Sequence, residues 1–323
     1  MFRTVTRVEL AELDMPRADL AEALDCCLEK VRRGHFIVKS ICSHTHFDTI
    51  RHLLSGPGIT FPTFRGDIRD DAEKLRMSIA TRRESLLPKD AFSHMSAALL
   101  HGLDPVELGT EKVEITRPDY SRSYSDLVFY ARDLAEDDVD RTLGSPVTTL
   151  ARTLADIALD HRLEVSVPLI SEGLRERHIS KEALRPKLAP GRRGRKRALL
   201  ALELASELHE SAAEAFCAVK FHRHGITGMT PQVTAYSSTG VFIGRNDFRQ
   251  EEARVIVEVH GVGKYYMHPD GPDTAARQNH QRNMNLINAG FTVFNLTFGD
   301  LFRPQIFEQI KKTIAQALGQ RHQ

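Results

Sequence analysis

At 323 residues the chain is long for one ordinary domain, and its 41% hydrophobic and 27% charged residues suit soluble folding units with sizeable cores. With 44 basic against 43 acidic side chains, net charge singles out neither a nucleic-acid nor a membrane partner, so any anion-binding surface has to come from local clustering. The opening MFRTVTRVEL has no apolar run of signal-peptide length and no segment is apolar enough to span a bilayer, so a cytoplasmic protein without membrane contact is expected.

Residues 1–85 read as mainly helical. From Ala18 to Val31 the residues Leu20, Leu24, Cys27, Leu28 and Val31 share a helical face, and Gly34 follows as a stop. His35 to Lys39 is strand-like, and Phe47 to Leu54 suits a second helix halted by Gly56-Pro57-Gly58. Helix, strand and helix are compatible with a winged-helix DNA reader or with a helical cap. Cys26, Cys27, Cys42 and Cys217 form no C-x-x-C pair and read as reduced thiols, one of the adjacent pair facing a core. Cys42, His44, His46 and His52 suggest a soft-metal cluster, but without a second ligand pair at zinc spacing they read as unrelated surface residues.

Residues 86–170 read as an α+β region. Ser93 to Leu100 is a short helix, while Lys112 to Thr116 and Leu127 to Tyr130 are strands. The loop between them mixes Arg117 and Arg122 with Tyr120 and Tyr124, which makes the two arginines candidate DNA contacts. A helix capped near Thr148 or Thr149 turns Leu150, Leu154, Ile157 and Ala158 inward. Residues 171–205 are helical around a basic run of Arg192, Arg193, Arg195, Lys196 and Arg197. That run is either a solvated hinge, the preferred reading, or a set of phosphate contacts.

Residues 206–323 read helix, three strands, helix, strand, helix. Glu210 to Phe221 holds Glu214, Pro231 to Tyr236 holds Gln232, and Val241 to Phe248 holds Asp247 near its end. Val255 to His260 is apolar enough for burial on both faces, followed by a helix at Thr274 to Ala289, a strand at Phe291 to Leu296 and a helix at Ile306 to Leu318. Glu258 is the anomaly. A carboxylate inside a run of valine and isoleucine is costly unless paired, protonated or bound to a metal. Strand parity sets Ile256, Glu258 and His260 against Val255, Val257 and Val259. An ion pair with Arg245 or Lys264 would account for Glu258. So would a hard cation shared with Asp247, since two adjacent carboxylates repel. Cys217, three residues from Glu214, reads as core rather than nucleophile.

The order of Glu214, Gln232, Asn246-Asp247-Phe248, Glu258-Val259-His260-Gly261 and Asn288 to Val293 resembles the PD-(D/E)XK nuclease superfamily. Within it the chain is most similar to the branch of very-short-patch-repair endonucleases, over Ser206 to Leu318. The resemblance implies an α/β restriction-endonuclease-like αβββαβ domain, preceded by the mixed α+β region and the mainly helical N-terminal one. It implies a DNA substrate and Mg²⁺, with Mn²⁺ as an alternative, held by Asp247, Glu258 and Glu214. Gln232, His260 or Lys264 would handle water or phosphate. His260 stands where the branch has an acid, which keeps open a non-catalytic DNA-binding regulator with a degenerate nuclease fold. Ser93 to Leu103, Pro146-Val147-Thr148 and Ala151 to Asp156 resemble actinobacterial proteins joining an AbiEi-type antitoxin-like region to such a domain. A homo-oligomer is compatible with these readings.

Overall fold

A computed structural model describes residues 2–54, 59–66, 69–141, 144–237, 239–260 and 272–321, the side chains of 272–276, 278–279 and 321 excepted. The chain forms two compact units, 1–157 and 158–323, so the helices of 158–205 belong with the second.

The first unit opens with β1 (Thr4–Thr6), α1 (Arg7–Glu12) and α2 (Arg17–Cys26), then a hairpin of β2 (Leu28–Arg32) and β3 (His35–Val38). Thr6 starts α1 through a capping box, its hydroxyl accepting from the Glu9 amide while the Glu9 carboxylate accepts from the Thr6 amide. The three strands pair antiparallel in the order β1-β3-β2.

This corrects the expected helix from Ala18 to Val31. The helix ends at Cys26, and Leu28 to Arg32 form a strand in register with Val38 to His35. Apolar residues at 24, 27, 28 and 31 fit a helical face, but Gly34 supplies a left-handed turn at φ +74°, and the backbone bonds of the hairpin then decide the matter. Gly34 is therefore a hairpin turn rather than a helix stop. The expected strand at His35 is present. The expected helix near Phe47 is α3 (His46–Arg51) with a 3₁₀ turn at His52–Leu54, and its Gly56–Gly58 stop lies outside the described residues. Helix α4 (Arg69–Ala80) packs Met77 and Ala80 on Ile37 of the hairpin.

A six-stranded mixed sheet follows, in the order β6-β7-β5-β4-β9-β8. Its strands are β4 (Ala91–Phe92), β5 (Val113–Arg117), β6 (Arg122–Ser123), β7 (Leu127–Ala131), β8 (Val139–Asp140) and β9 (Val147–Thr148). Helix α5 (His94–Leu100) lies on it, and α6 (Leu150–Asp160) leaves it. The core here is unusually polar. Buried Glu114 accepts from the Met95 amide and the Tyr130 hydroxyl, both at 2.8 Å, and buried Arg152 binds Asp138 and Asp156.

Arg117, expected on a DNA-facing loop, is part of this core. Its guanidinium pairs with buried Asp90 at 2.5 Å and lies 3.8 Å from the centroid of the Phe129 ring. It is the last residue of β5, so it points with the strand rather than with the loop. Arg122, by contrast, is exposed on β6 and rests over the ring of Tyr124.

The second unit begins with α7 (Leu163–Glu176), α8 (Lys181–Leu184) and α9 (Arg195–Leu204). It continues with α10 (Ala212–His224), β10 (Met229–Tyr236), β11 (Phe242–Gln250), β12 (Val255–His260), α11 (Pro272–Asn288), β13 (Thr292–Thr297) and α12 (Pro304–Arg321). The sheet order is β10-β11-β12-β13, antiparallel until β12 and β13, which run parallel because α11 carries the chain back between them. Every residue from Val255 to Val259 is buried, as a strand covered on both faces requires. Ile256 packs with Leu286 of α11 on one face. On the other, Phe248, paired with Val257, meets Phe221 of α10, which meets Phe307 of α12.

Candidate functional site

The polar residues of the second unit gather where β11 and β12 separate. Their ladder runs from Gln250↔Val255 to Phe248↔Val257 and goes no further. Phe248 faces α10, yet Gly244 and Asn246, of the same strand parity, lie on the α11 side. A Cβ on Gly244 would sit 2.5 Å from the Arg282 side chain, and Asn246 Nδ2 donates to Glu258 at 3.2 Å. The alternation of β11 therefore reverses at Asp247. Opposite it on β10, Gln232 takes a left-handed φ of +54°, strained for any residue but glycine. Bulge-like reversals of this kind re-aim side chains next to sites. Here the result is that the Asp247 carboxylate accepts from the Val259 amide at 2.7 Å, replacing a ladder bond.

Glu258 is almost wholly buried. It accepts from Asn246 and from Arg282 Nη2, the latter at 2.8 Å. Burial pushes its carboxyl up to about 7 and the neighbouring Asp247 charge adds to the rise, while Arg282 and Asn246 oppose it. The partner foreseen for this carboxylate was Arg245 or Lys264. Arg245 instead pairs with Glu210, and Lys264 lies outside the described residues. Arg282 was not foreseen, although a signal exists. Leu286 meets Ile256, and four residues back along a helix is about 6 Å, close to the rise of two residues on a strand. The residue one turn before Leu286 is Arg282, and two residues after Ile256 is Glu258.

Glu214 is fully buried near the start of α10. Ser211 caps the helix, its hydroxyl accepting from the Glu214 amide and donating to the Glu214 carboxylate at 2.8 Å. The same carboxylate accepts from the Glu210 amide and from Gln232 Nε2, each at 2.9 Å. Among the described residues, no three of Glu214, Asp247, Glu258 and their acidic, His or Cys neighbours bring ligand atoms mutually within 4.8 Å. Glu214 thus serves as a helix cap and as the anchor of Gln232, not as a third member of a compact acidic cluster. The donors that remain at the strand opening are the Asp247 and Glu258 carboxylates and Asn246 Oδ1, which is buried without a hydrogen-bond partner. All are hard oxygens, the type a small divalent cation takes.

His260 bonds through Nε2 to Asn295 Oδ1 at 2.9 Å. Asn295 is the register partner of Glu258, so His260 and Glu258 share a sheet face. Cys217 is fully buried and its thiol pushed up, first by that burial. His209 is held near 4 by burial and lines a cleft of about 700 Å³ with Lys181, Phe221 and Phe248, a cleft that Asp247 and Glu258 do not line.

The basic run is more tightly held than a hinge would be. Gly194 has φ +83°, and a Cβ there would lie 2.0 Å from the Leu159 carbonyl oxygen, so only glycine fits. Arg195 and Arg197 donate to the carbonyls of Leu188 and Leu159, and Arg192 is half-buried. Arg193 and Lys196 are exposed. No family model matches the chain, and neither a curated protein nor a solved structure matches it.

Proposed function

We propose that the second unit hydrolyses DNA phosphodiester bonds as an Mg²⁺-dependent endonuclease or nickase, with Mn²⁺ able to substitute. The reading extends the αβββαβ order of α10 to β13 to a restriction-endonuclease-like domain. The observation that carries it is the carboxylate pair of Asp247 and Glu258 at the opening of the sheet, with Asp247 close enough for its charge to oppose ionisation of Glu258. Asp247 and Glu258, with Asn246 Oδ1, would hold the ion. When bound, it supplies Lewis-acid stabilisation of the phosphate and an activated water. Arg282 positions the Glu258 carboxylate, and Asn295 orients His260 toward the same face, where the imidazole can contact a phosphate or move a proton. Glu214 positions Gln232 and takes no direct part.

The experiment is Mn²⁺ binding, followed by electron paramagnetic resonance on the full chain at pH 8. One ion per chain is expected, bound at least tenfold more weakly by Asp247→Ala. Equal binding by the variant would remove Asp247 from the ion's shell.

A second reading, a non-catalytic DNA-binding regulator, is favoured by one observation: Arg282 already gives Glu258 a positive partner. The strand, two helices and hairpin of the first unit have the order of a winged helix. The second helix, however, carries Asp19, Glu22 and Asp25 against Arg17 alone, and such a face repels phosphate. The hairpin, by contrast, carries Lys30, Arg32 and Arg33, of which Lys30 and Arg33 are exposed. DNA binding without metal-dependent cleavage would select this reading.

A further inference from the structure

We propose that Cys26, Cys27, Cys42 and His46 form a structural Zn²⁺ site in the first unit. The four ligand atoms lie within 4.8 Å of one another and come from three places in the fold. Cys26 and Cys27 end α2, Cys42 follows the β2–β3 hairpin, and His46 begins α3. The expectation that this cysteine and these histidines were unrelated surface residues therefore fails for His46, which is 1% exposed. His44 stacks on its ring.

The spacing suits a tetrahedral ion rather than a packed apolar cluster. Zn–S bonds of about 2.3 Å and Zn–N bonds of about 2.0–2.1 Å require S···S edges of about 3.7–3.8 Å and S···N edges of about 3.5 Å. The Cys26–Cys42 sulfur separation is 3.7 Å. From His46 Nε2 the three sulfurs stand at 3.1, 3.7 and 3.4 Å for Cys26, Cys27 and Cys42. All three thiols thus converge on the same imidazole nitrogen. The other nitrogen, Nδ1, is buried without a hydrogen bond and faces the Glu22 carboxylate at 3.5 Å, the orienting partner that a metal-bound histidine usually has.

Four protein ligands make a closed, structural type of site. Val5, Leu10, Ala23, Leu28, Phe36 and Phe47 form the core with buried Cys27, and Cys26 and Cys42 pack against it at its partly exposed edge. Binding releases the three thiol protons to solvent, and the neutral imidazole coordinates through Nε2 while its Nδ1–H points to Glu22. Three thiolates and one imidazole select zinc over the hard ion proposed for the second unit, so the two sites do not compete for one metal. The ion ties the end of α2 to the base of the hairpin and to α3, holding together elements too short to bury much of a core by themselves.

The test uses the full chain, expressed in zinc-supplemented medium and purified under reducing conditions without chelator. Elemental analysis should find one zinc per chain, and X-ray absorption should give three sulfurs and one nitrogen around it. Co²⁺ exchange should produce the d–d and thiolate charge-transfer bands of a tetrahedral ion. The Cys42→Ser and His46→Ala variants should lose the metal, while Cys217→Ser keeps it. The wild-type measurements stand even if the first two variants fail to fold. Substoichiometric zinc, iron or copper in its place, an oxygen-dominated shell, or a Cys26–Cys42 disulfide in the reduced preparation would each overturn the assignment.

Discussion

Replacing Glu258 with glutamine keeps the size of the side chain and its bond from Arg282, and removes one titration. In the folded protein this carboxyl is raised from 4.5 to about 7, mainly by burial. At about 1.4 kcal/mol per pKa unit the rise corresponds to about 3 kcal/mol. The folded state holds the proton more tightly than the unfolded chain does. Its contribution is therefore complete below about pH 4.5 and is lost as pH rises through about 7. At pH 8 the wild type carries the full cost of a buried carboxylate and Glu258→Gln does not. The variant should then gain up to about 3 kcal/mol relative to its own advantage at pH 4.5, or roughly 6–12 °C in the melting midpoint of a unit this size. The assay is thermal unfolding of both full-length proteins from pH 4.5 to 8.5, read as the difference between them. The difference cancels other groups, such as His209, whose depressed value acts on the acid side. Added Mg²⁺ at pH 8 should recover part of the loss in the wild type and none in the variant. A difference independent of pH would show that Glu258 titrates normally and would refute the electrostatic account of the site.

Two other substitutions test how firmly the expected DNA contacts are built into the fold. Gly194→Ala should destabilise the second unit by about 2 kcal/mol or more in urea unfolding, because its Cβ meets the Leu159 carbonyl at 2.0 Å and φ is +83°. Arg117→Ala leaves Asp90 buried without its partner and should cost about 3–5 kcal/mol, with the salt dependence of DNA binding unchanged. If DNA is bound through the basic run, replacing exposed Arg193 and Lys196 by alanine should reduce the salt slope by about 0.9 for each phosphate no longer neutralised.

The C-terminal elements were legible because they are local. Val255 to His260 is a continuous apolar run, Gly225 and Gly290 punctuate the helices before β10 and β13, and Ser211 with Glu214 has capping-box spacing. Glu258 stood out for the same reason, as one charge among valines. Its partner did not, because Arg282 lies 24 residues away and meets it only once α11 packs on β12. The helix expected across Leu28 and Val31 failed because apolar spacing near 3.5 residues does not exclude a strand, and pairing with β3 is not written in β2 alone. The Cys/His cluster was hidden in a similar way. Its ligands span 20 residues with no regular spacing, and the turn at Gly34 brings Cys42 and His46 back to the end of α2. Arg117 looked like a loop residue because Pro118 follows it, but it closes a buried strand.

Whether Asp247 and Glu258 hold a catalytic ion is tested most directly by incubating supercoiled plasmid with the full chain at pH 8, with and without Mg²⁺ or Mn²⁺. Nicked or linear product is expected from the wild type only when metal is present, with a loss of at least about 10²-fold in Asp247→Ala and DNA binding retained. A wild type that binds the plasmid and leaves it intact with either metal, or an Asp247→Ala variant that cleaves as fast as the wild type, would contradict a metal-dependent nuclease built on these two carboxylates.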